Sequence, residues 1–301
     1  MTPKKLRGMG VALSTPFTPD LEIDFEALNR HLDYLVEGGV DFIVALGTTA
    51  ETPTLSEEEK HKILQTVIDR VGGRVPVVIG MGGNSTAALK KSLTSTPGLE
   101  KADAILSVVP YYNKPTQEGM YRHFAEVART SPLPVILYNI PGRTGVNMEV
   151  DTVIRLAEEF PDKIVGIKEA SGNMDQAALI ITRRPEGFAV FSGDDSLAHT
   201  MIGLGGDGVI SVLGNALPRQ FTEMIRLSLD TELHDRARPL HREFSALYSL
   251  LFKDGNPAGI KALLNAMFPW YGKHLRLPLV EATEATSQAL AQAVEKFTSK
   301  A

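Results

Sequence analysis

The chain contains no cysteine. Disulfides, thiolate nucleophiles, cysteine-bound zinc and iron–sulfur clusters are thereby excluded. It also lacks an excess of positive charge: 31 Lys and Arg stand against 36 Asp and Glu, a formal net charge of -5. No Lys/Arg cluster stands out, so nucleic acid and anionic membranes are not expected partners; small molecules and further copies of the chain are. The seven histidines are scattered, with no His-x-His and no His-Glu-x-x-His, and a catalytic transition metal is not expected. No apolar run approaches the ~18 residues of a membrane span. The opening stretch "MTPKKLRGMGVALSTPF" has basic residues before an apolar segment. That segment is broken by Ser14, Thr15 and Pro16 with no small-residue cleavage site behind it, so a targeting peptide is not expected and a cytoplasmic location is.

What the sequence does have is a composition of 43% hydrophobic and 22% charged residues, enough for a large core and typical of a soluble globular protein. Eight short apolar runs recur along it, beginning near Gly8, Asp41, Val75, Asp103, Pro134, Lys163, Phe188 and Gly208. Strands this apolar are buried on both faces, as parallel strands covered by helices are. The segments between them, such as "DFEALNRHLDYLVEGG" and "SEEEKHKILQTVIDRVGG", carry apolar residues at three-to-four spacing, acidic first turns and terminal glycines, the signals of amphipathic helices. Eight such βα units predict an α/β fold, a (β/α)₈ TIM barrel over residues 1–225. An open doubly wound sheet would instead want a glycine-rich phosphate turn after its first strand, and "STPFTPD" is not one. "GLGGDG" (203–208) precedes a strand, so its glycines read as a tight turn. Beyond about residue 225 strand signals stop, and three helices, in "ELHDRARPLHREFSALYSLLF", "NPAGIKALLNAMF" and "TEATSQALAQAVEKFTSK", are expected as a C-terminal appendage over 226–301.

Reactive side chains of such barrels sit where strands end and βα loops begin. Those positions hold Ser14 and Thr15, "GTTAET" (47–52), "PYYNKP" (110–115), "YNIPGRT" (138–144), Lys168 with Glu169, "SGDD" (192–195) and "SVLGN" (211–215). Lys168 ends the hydrophobic run "IVGIK". An ordinary lysine is less than ~0.1% neutral at pH 7 and attacks carbonyls poorly; burial among apolar residues penalises the ammonium and frees the amine to form a Schiff base. The structural alternative is a pair with Glu169, or a stem that carries the ammonium out to solvent. Neighbouring residues of a strand face opposite ways, which argues against the pair. Tyr138 ends the preceding strand, where its phenol can pass protons during carbinolamine formation and dehydration, or simply pack as a rim aromatic. Thr48 and Thr49 offer hydroxyls and N–H groups suited to a carboxylate, or a helix-entry turn. Arg143 can grip a second carboxylate with its planar fork, or form a surface ion pair.

The stretches "GTTAETPTL", "PYYNKPTQEG", "YNIPGRTG" and "GIKEASG" closely resemble the signatures of the dihydrodipicolinate synthase / N-acetylneuraminate lyase family of pyruvate-dependent class I aldolases. The likeness runs over the whole barrel and more loosely into the C-terminal helices. It implies a Schiff base between pyruvate and Lys168, with Thr48 and Thr49 on the pyruvate carboxylate, Gly193 and Ile210 in the substrate-binding surface, and no metal or organic cofactor. It also implies that Tyr112 reaches a neighbouring subunit's active site and joins Thr48 and Tyr138 in a proton relay, which requires at least a dimer; the family commonly forms tetramers. Arg143 is similar to the arginine that holds the carboxylate of aspartate semialdehyde, so the implied product is 4-hydroxytetrahydrodipicolinate, an intermediate of lysine and diaminopimelate synthesis. Within the same chemistry, an N-acetylneuraminate lyase, a 2-keto-3-deoxy sugar-acid aldolase or a hydroxyproline-pathway dehydratase would be expected to carry another residue at Arg143. A non-catalytic keto-acid sensor would not need Lys168, Tyr138 and Thr48 together.

Two departures from the family pattern stand out. Ala50 replaces the usual glycine of "GTTGE", which is tolerable unless the backbone there needs positive φ. The family's lysine feedback site is partly present in Asn84 and Tyr111, but Glu57, Lys60 and Ala88 occupy the positions of two histidines and a glutamate. Loss of the carboxylate that would meet the effector's ammonium, with Lys60 nearby, disfavours a cationic ligand. Weak or absent inhibition by free lysine is therefore expected in a steady-state assay, and a clear micromolar inhibition curve would contradict it.

Overall fold

The computed structural model describes residues 6–298. Eight parallel strands close into a barrel in sequence order: β1 (Gly8–Ala12), β2 (Phe42–Ala45), β3 (Val77–Gly80), β4 (Ala104–Val108), β5 (Val135–Asn139), β6 (Ile164–Glu169), β7 (Ala189–Ser192) and β8 (Gly208–Ser211). Helices follow the strands in turn and lie outside them. Their starts are set locally: Asp24, Ser56, Ser85, Thr116 and Asn173 each accept the backbone N–H three residues on, satisfying donors that a first turn cannot pair internally. The "GLGGDG" glycines make the tight return into β8, with Gly205 at φ 104° and Gly208 at φ 147°.

The strands are buried on both faces and separate two apolar layers. Inside the barrel, Phe42, Val44, Val78, Leu106, Ile136, Phe191 and Ile210 fill the bore, with the Phe42 and Phe191 rings edge to face at 5.4 Å. Outside it, alternate residues such as Val11, Ile43, Ile79, Ile105, Leu137, Ile167 and Val209 meet the helices. Three strand pairs are laced at the foot by the same device. Asp41, Asp103 and Asp207 each stand just before an even-numbered strand and accept the N–H of Met9, Val77 and Val190 on the odd-numbered strand before it, at 2.8, 2.8 and 2.9 Å. The fourth pair departs from this: Lys163 holds that position, and its backbone oxygen accepts from Val135 at 2.6 Å. There the register also shifts, Val135 pairing with Ile164 but Ile136 with Gly166, which leaves Val165 as an extra residue.

After the eighth barrel helix, Pro218–Leu229, no strand occurs among the described residues. The segment expected as a single helix over 232–252 forms two, His234–Glu243 and Ser245–Lys253. They divide at Phe244, whose φ of -81° and ψ of -6° loosen the turn while its ring is buried between Phe221 and Phe297, at 5.4 and 5.0 Å. Helices Ala258–Met267 and Glu284–Thr298 are the last elements among the described residues. Among the described residues no helix is long and apolar enough to cross a membrane.

One ion pair ties these late helices to the barrel. Lys261 and Glu51 are both fully enclosed and paired. The ammonium also donates to the backbone oxygen of His274 at 2.8 Å and sits 4.1 Å from the Phe17 ring centroid, while the second carboxylate oxygen of Glu51 accepts from Arg276 N at 3.1 Å. Burial pulls the Lys261 ammonium down to about 8, against the opposing attraction of Glu51. Removing one member of a buried pair leaves an uncompensated charge. Lys261→Met is therefore expected to lower stability by about 3–5 kcal/mol, read from the urea midpoint; a loss below about 1 kcal/mol would mean that the pair does not hold the helices in place.

Candidate active site

The C-terminal ends of the strands place the reactive groups, and β6 supplies the central one. With the extra residue at Val165, Tyr138 pairs with Lys168 and Asn139 with Glu169. A bulge of this kind re-aims the residues that follow it. Gly166 permits it, since a Cβ there would stand 2.6 Å from the backbone oxygen of Ala189. Tyr138 belongs to the cluster inside the bore, and Lys168 lies beside it, with Nζ 4.5 Å from the Tyr138 ring centroid. Both side chains are buried, at 5% exposure each.

Glu169 faces the other way. Its carboxylate accepts from Asn139 Nδ2 at 3.0 Å, Gln176 Nε2 at 3.0 Å and Ser171 N at 2.7 Å. Neither structural alternative for Lys168 applies, because the amine neither pairs with Glu169 nor reaches open solvent. Among the described residues Lys168 has no ion-pair partner. The amides around Glu169 form a brace of their own: Asn139 also donates to Asn147 at 2.8 Å and accepts from Met148 N at 3.0 Å, and Asn147 donates to Gln176 at 2.8 Å. This network holds the end of β5, the end of β6 and the loop after Arg143 together.

Gly193, after β7, forms the wall beside the lysine stem. A Cβ there would lie 3.0 Å from Lys168 Cε and 2.5 Å from the Ala170 side chain. Ile210 lies fully buried in the bore with Tyr138. Asp195, two residues past Gly193, ties this loop to the end of β8 by accepting from Val212 N and Leu213 N at 3.1 and 2.7 Å. Its burial pushes the carboxyl up to about 6.

At the end of β2, Thr48–Ala50 form one tight helical turn. The left-handed residues are its neighbours, Leu46 at φ 56° and Glu51 at φ 57°. Ala50 does not need positive φ, so its methyl is compatible with the turn. Thr15 Oγ1 donates to Ala50 O at 2.9 Å and Ser14 Oγ meets the Tyr271 hydroxyl at 2.5 Å; these strand-end hydroxyls are engaged in holding the turn and the first loop. Thr49 is buried, and its Oγ1 accepts from Asn256 Nδ2 at 3.0 Å. Arg143 is exposed on the turn Pro141–Thr144 and donates from Nη2 to the Asn256 backbone oxygen at 3.2 Å.

Tyr112 stands apart from this cluster. It is 87% exposed at φ 73°, and its N–H reaches Thr144 O at 3.4 Å, so its loop rests on the Arg143 turn. Tyr111 is also exposed, and its backbone oxygen accepts from Asn84 Nδ2 at 3.1 Å. The sequence reading missed Asn256, Lys261 and Tyr271, whose only local marks are a polar residue before a proline, a lysine in an apolar helix and a tyrosine after tryptophan. Among the described residues no group of three or more His, Asp or Glu side chains is arranged to hold a metal ion.

A closed (β/α)₈ barrel with a buried lysine against a phenol where β5 and β6 end is the arrangement expected of an imine-forming barrel enzyme. The profile of the Dihydrodipicolinate synthetase family matches residues 5–297, and the chain belongs to that family. It is 51% identical over 295 residues, 98% of each chain, to a 4-hydroxy-tetrahydrodipicolinate synthase of Parabacteroides distasonis. Its fold is similar to the crystal structure of dihydrodipicolinate synthase from Aquifex aeolicus, with a TM-score of 0.92, 41% identity and 97% and 98% of the two chains covered. A chloride-inhibited dihydrodipicolinate synthase from Acinetobacter baumannii, solved with pyruvate, gives a TM-score of 0.91 at 38% identity over 96% and 98% of the chains.

The close wall at Gly193 yields a direct test. Gly193→Ala is expected to push both the Lys168 stem and Ala170 aside, cutting kcat/KM by about 10²-fold, the scale of a 1 Å misplacement, and lowering stability by about 1–3 kcal/mol through overpacking. Unchanged kinetics would remove Gly193 from the site.

Proposed function

We propose that the chain is a 4-hydroxy-tetrahydrodipicolinate synthase, condensing pyruvate with aspartate semialdehyde in lysine and diaminopimelate synthesis. The observation that carries this reading is Lys168, buried at the end of β6, without a carboxylate partner among the described residues and lying against Tyr138. Its Nζ adds to C2 of pyruvate to give a carbinolamine, which loses water to form the imine. Tyr138 takes and returns the protons of these steps. The pyruvate carboxylate rests on Thr48 and Thr49, with Gly193 and Ile210 bounding the space around it.

The protonated imine withdraws electrons from the pyruvate methyl group, which loses a proton to become an enamine. Its carbon attacks the aldehyde of aspartate semialdehyde, whose carboxylate Arg143 holds. The semialdehyde's own amine then adds to C2, closes the ring and displaces Lys168. No metal or organic cofactor enters this scheme. The guanidinium at Arg143 favours a carboxylate-bearing electrophile over a polyhydroxylated one.

Tyr112 projects from the subunit at left-handed φ, a conformation costly for an aromatic residue unless something requires it. That supports a role across a subunit boundary, in which its phenol joins Thr48 and Tyr138 as a proton relay in a dimer, with two dimers forming a tetramer. Asn84 and Tyr111 are remnants of an effector site, and the enzyme works in the cytoplasm.

Borohydride reduction with pyruvate, followed by peptide mapping, is expected to leave a stable adduct on Lys168 in the wild-type protein and none in Lys168→Ala. Wild-type protein that turns over pyruvate and aspartate semialdehyde yet yields no adduct would refute the imine route. Faster turnover of sugar acids than of aspartate semialdehyde would instead place the chain in the sugar-acid branch.

A further inference from the structure

Asn256 comes from the C-terminal helical segment, yet it touches both groups assigned to carboxylates. Its side-chain Nδ2 donates to Thr49 Oγ1 at 3.0 Å, and its backbone oxygen accepts from Arg143 Nη2 at 3.2 Å. The residue is buried, at 7% exposure, and among the described residues its Oδ1 has no partner. Most buried side-chain polar atoms have a hydrogen-bond partner, so an unpaired amide oxygen calls for an explanation. Here the acceptor end is orphaned and the donor end is set on the hydroxyl of Thr49, the residue assigned above to the keto-acid carboxylate.

A hydroxyl has one proton to give and lone pairs to receive with. Because an NH₂ group can only donate, Thr49 Oγ1 must accept from Asn256, and its own proton is left to point elsewhere. A carboxylate accepts only. With the amide reversed, Thr49 would give its proton to Oδ1 and turn lone pairs toward the bound carboxylate. We propose that Asn256 is a positioning residue whose amide fixes the direction of the Thr49 hydroxyl, so that Thr49 presents a donor to the keto-acid carboxylate. This rests on the assignment of Thr49 to pyruvate given above.

Asn256→Asp tests it, because the replacement is nearly isosteric and puts an acceptor where the donor stood. Thr49 then turns its proton to the new carboxylate. The pyruvate concentration that half-saturates borohydride trapping, and the KM for pyruvate, are expected to rise about 10- to 100-fold, the range of one hydrogen bond to a charged group. The KM for aspartate semialdehyde should stay within about threefold, since the backbone oxygen that meets Arg143 survives any substitution. A merely structural role would shift both constants together, because displacing the segment moves Arg143 as well.

Two further variants complete the test. Asn256→Ser, neutral and smaller, should raise the pyruvate KM only about three- to tenfold, and it keeps the inference testable if the aspartate variant melts below the assay temperature. In a Thr49→Val background, Asn256→Asp should add less than about threefold; the full effect there would mean that the new charge acts directly and not through Thr49. Equal rises in both KM values, or an unshifted pyruvate constant in both Asn256 variants, overturns this inference alone. Wild-type protein that forms no pyruvate adduct overturns the imine reading and this inference with it.

Discussion

One extra residue in β6 decides what the open end of the barrel can do. Were Val165 paired instead of bulged, the ladder from Val135 and Ile164 would continue one for one and bring Ile167 beside Tyr138. Side chains of a strand alternate, so a slip of one residue exchanges the faces. The bulge turns Lys168 into the bore and Glu169 out to the amides of Asn139 and Gln176. Two ionisable neighbours are thereby separated by a sheet, one left with an aromatic face and the other given three N–H donors. The opposite arrangement would bury a carboxylate in the bore and lodge an ammonium among amide donors.

The bore alone does not make the site, because the turn after β2 is held from a distance. Glu51 closes the turn Thr48–Ala50 and is paired with Lys261, while Asn256 grips Thr49 itself. Both partners come from the helical segment beyond the barrel, Lys261 from the helix Ala258–Met267 and Asn256 from the turn before it. Those helices are therefore part of how the mouth is shaped, and the proposed carboxylate-binding groups depend on a segment that contributes no strand. Tyr271 acts similarly on the first loop through Ser14.

The barrel was legible because its signals are local. Apolar runs, capped amphipathic helices and strand-end residues such as Lys168, Tyr138 and Arg143 are each readable within a dozen residues, and the motifs around them carry the family likeness. The bulge was not legible, since register belongs to a pair of strands and not to one. Nor were Asn256, Lys261 and Tyr271, whose partners lie 207, 210 and 257 residues away in the chain. Lys261 looked like one polar position in an apolar helix, and nothing beside it revealed a buried acid waiting across the fold. The division of one expected helix at Phe244 has the same origin, because it follows the burial of that ring against distant Phe221 and Phe297.

The three aspartates at the foot of the barrel have a consequence of their own. Asp41, Asp103 and Asp207 stitch neighbouring staves together at the end away from the chemistry. A cylinder fastened at its base leaves its rim free for revision. Side chains there can be exchanged to suit a different electrophile while the seams below stay shut, so novelty at one end need not be bought with collapse at the other.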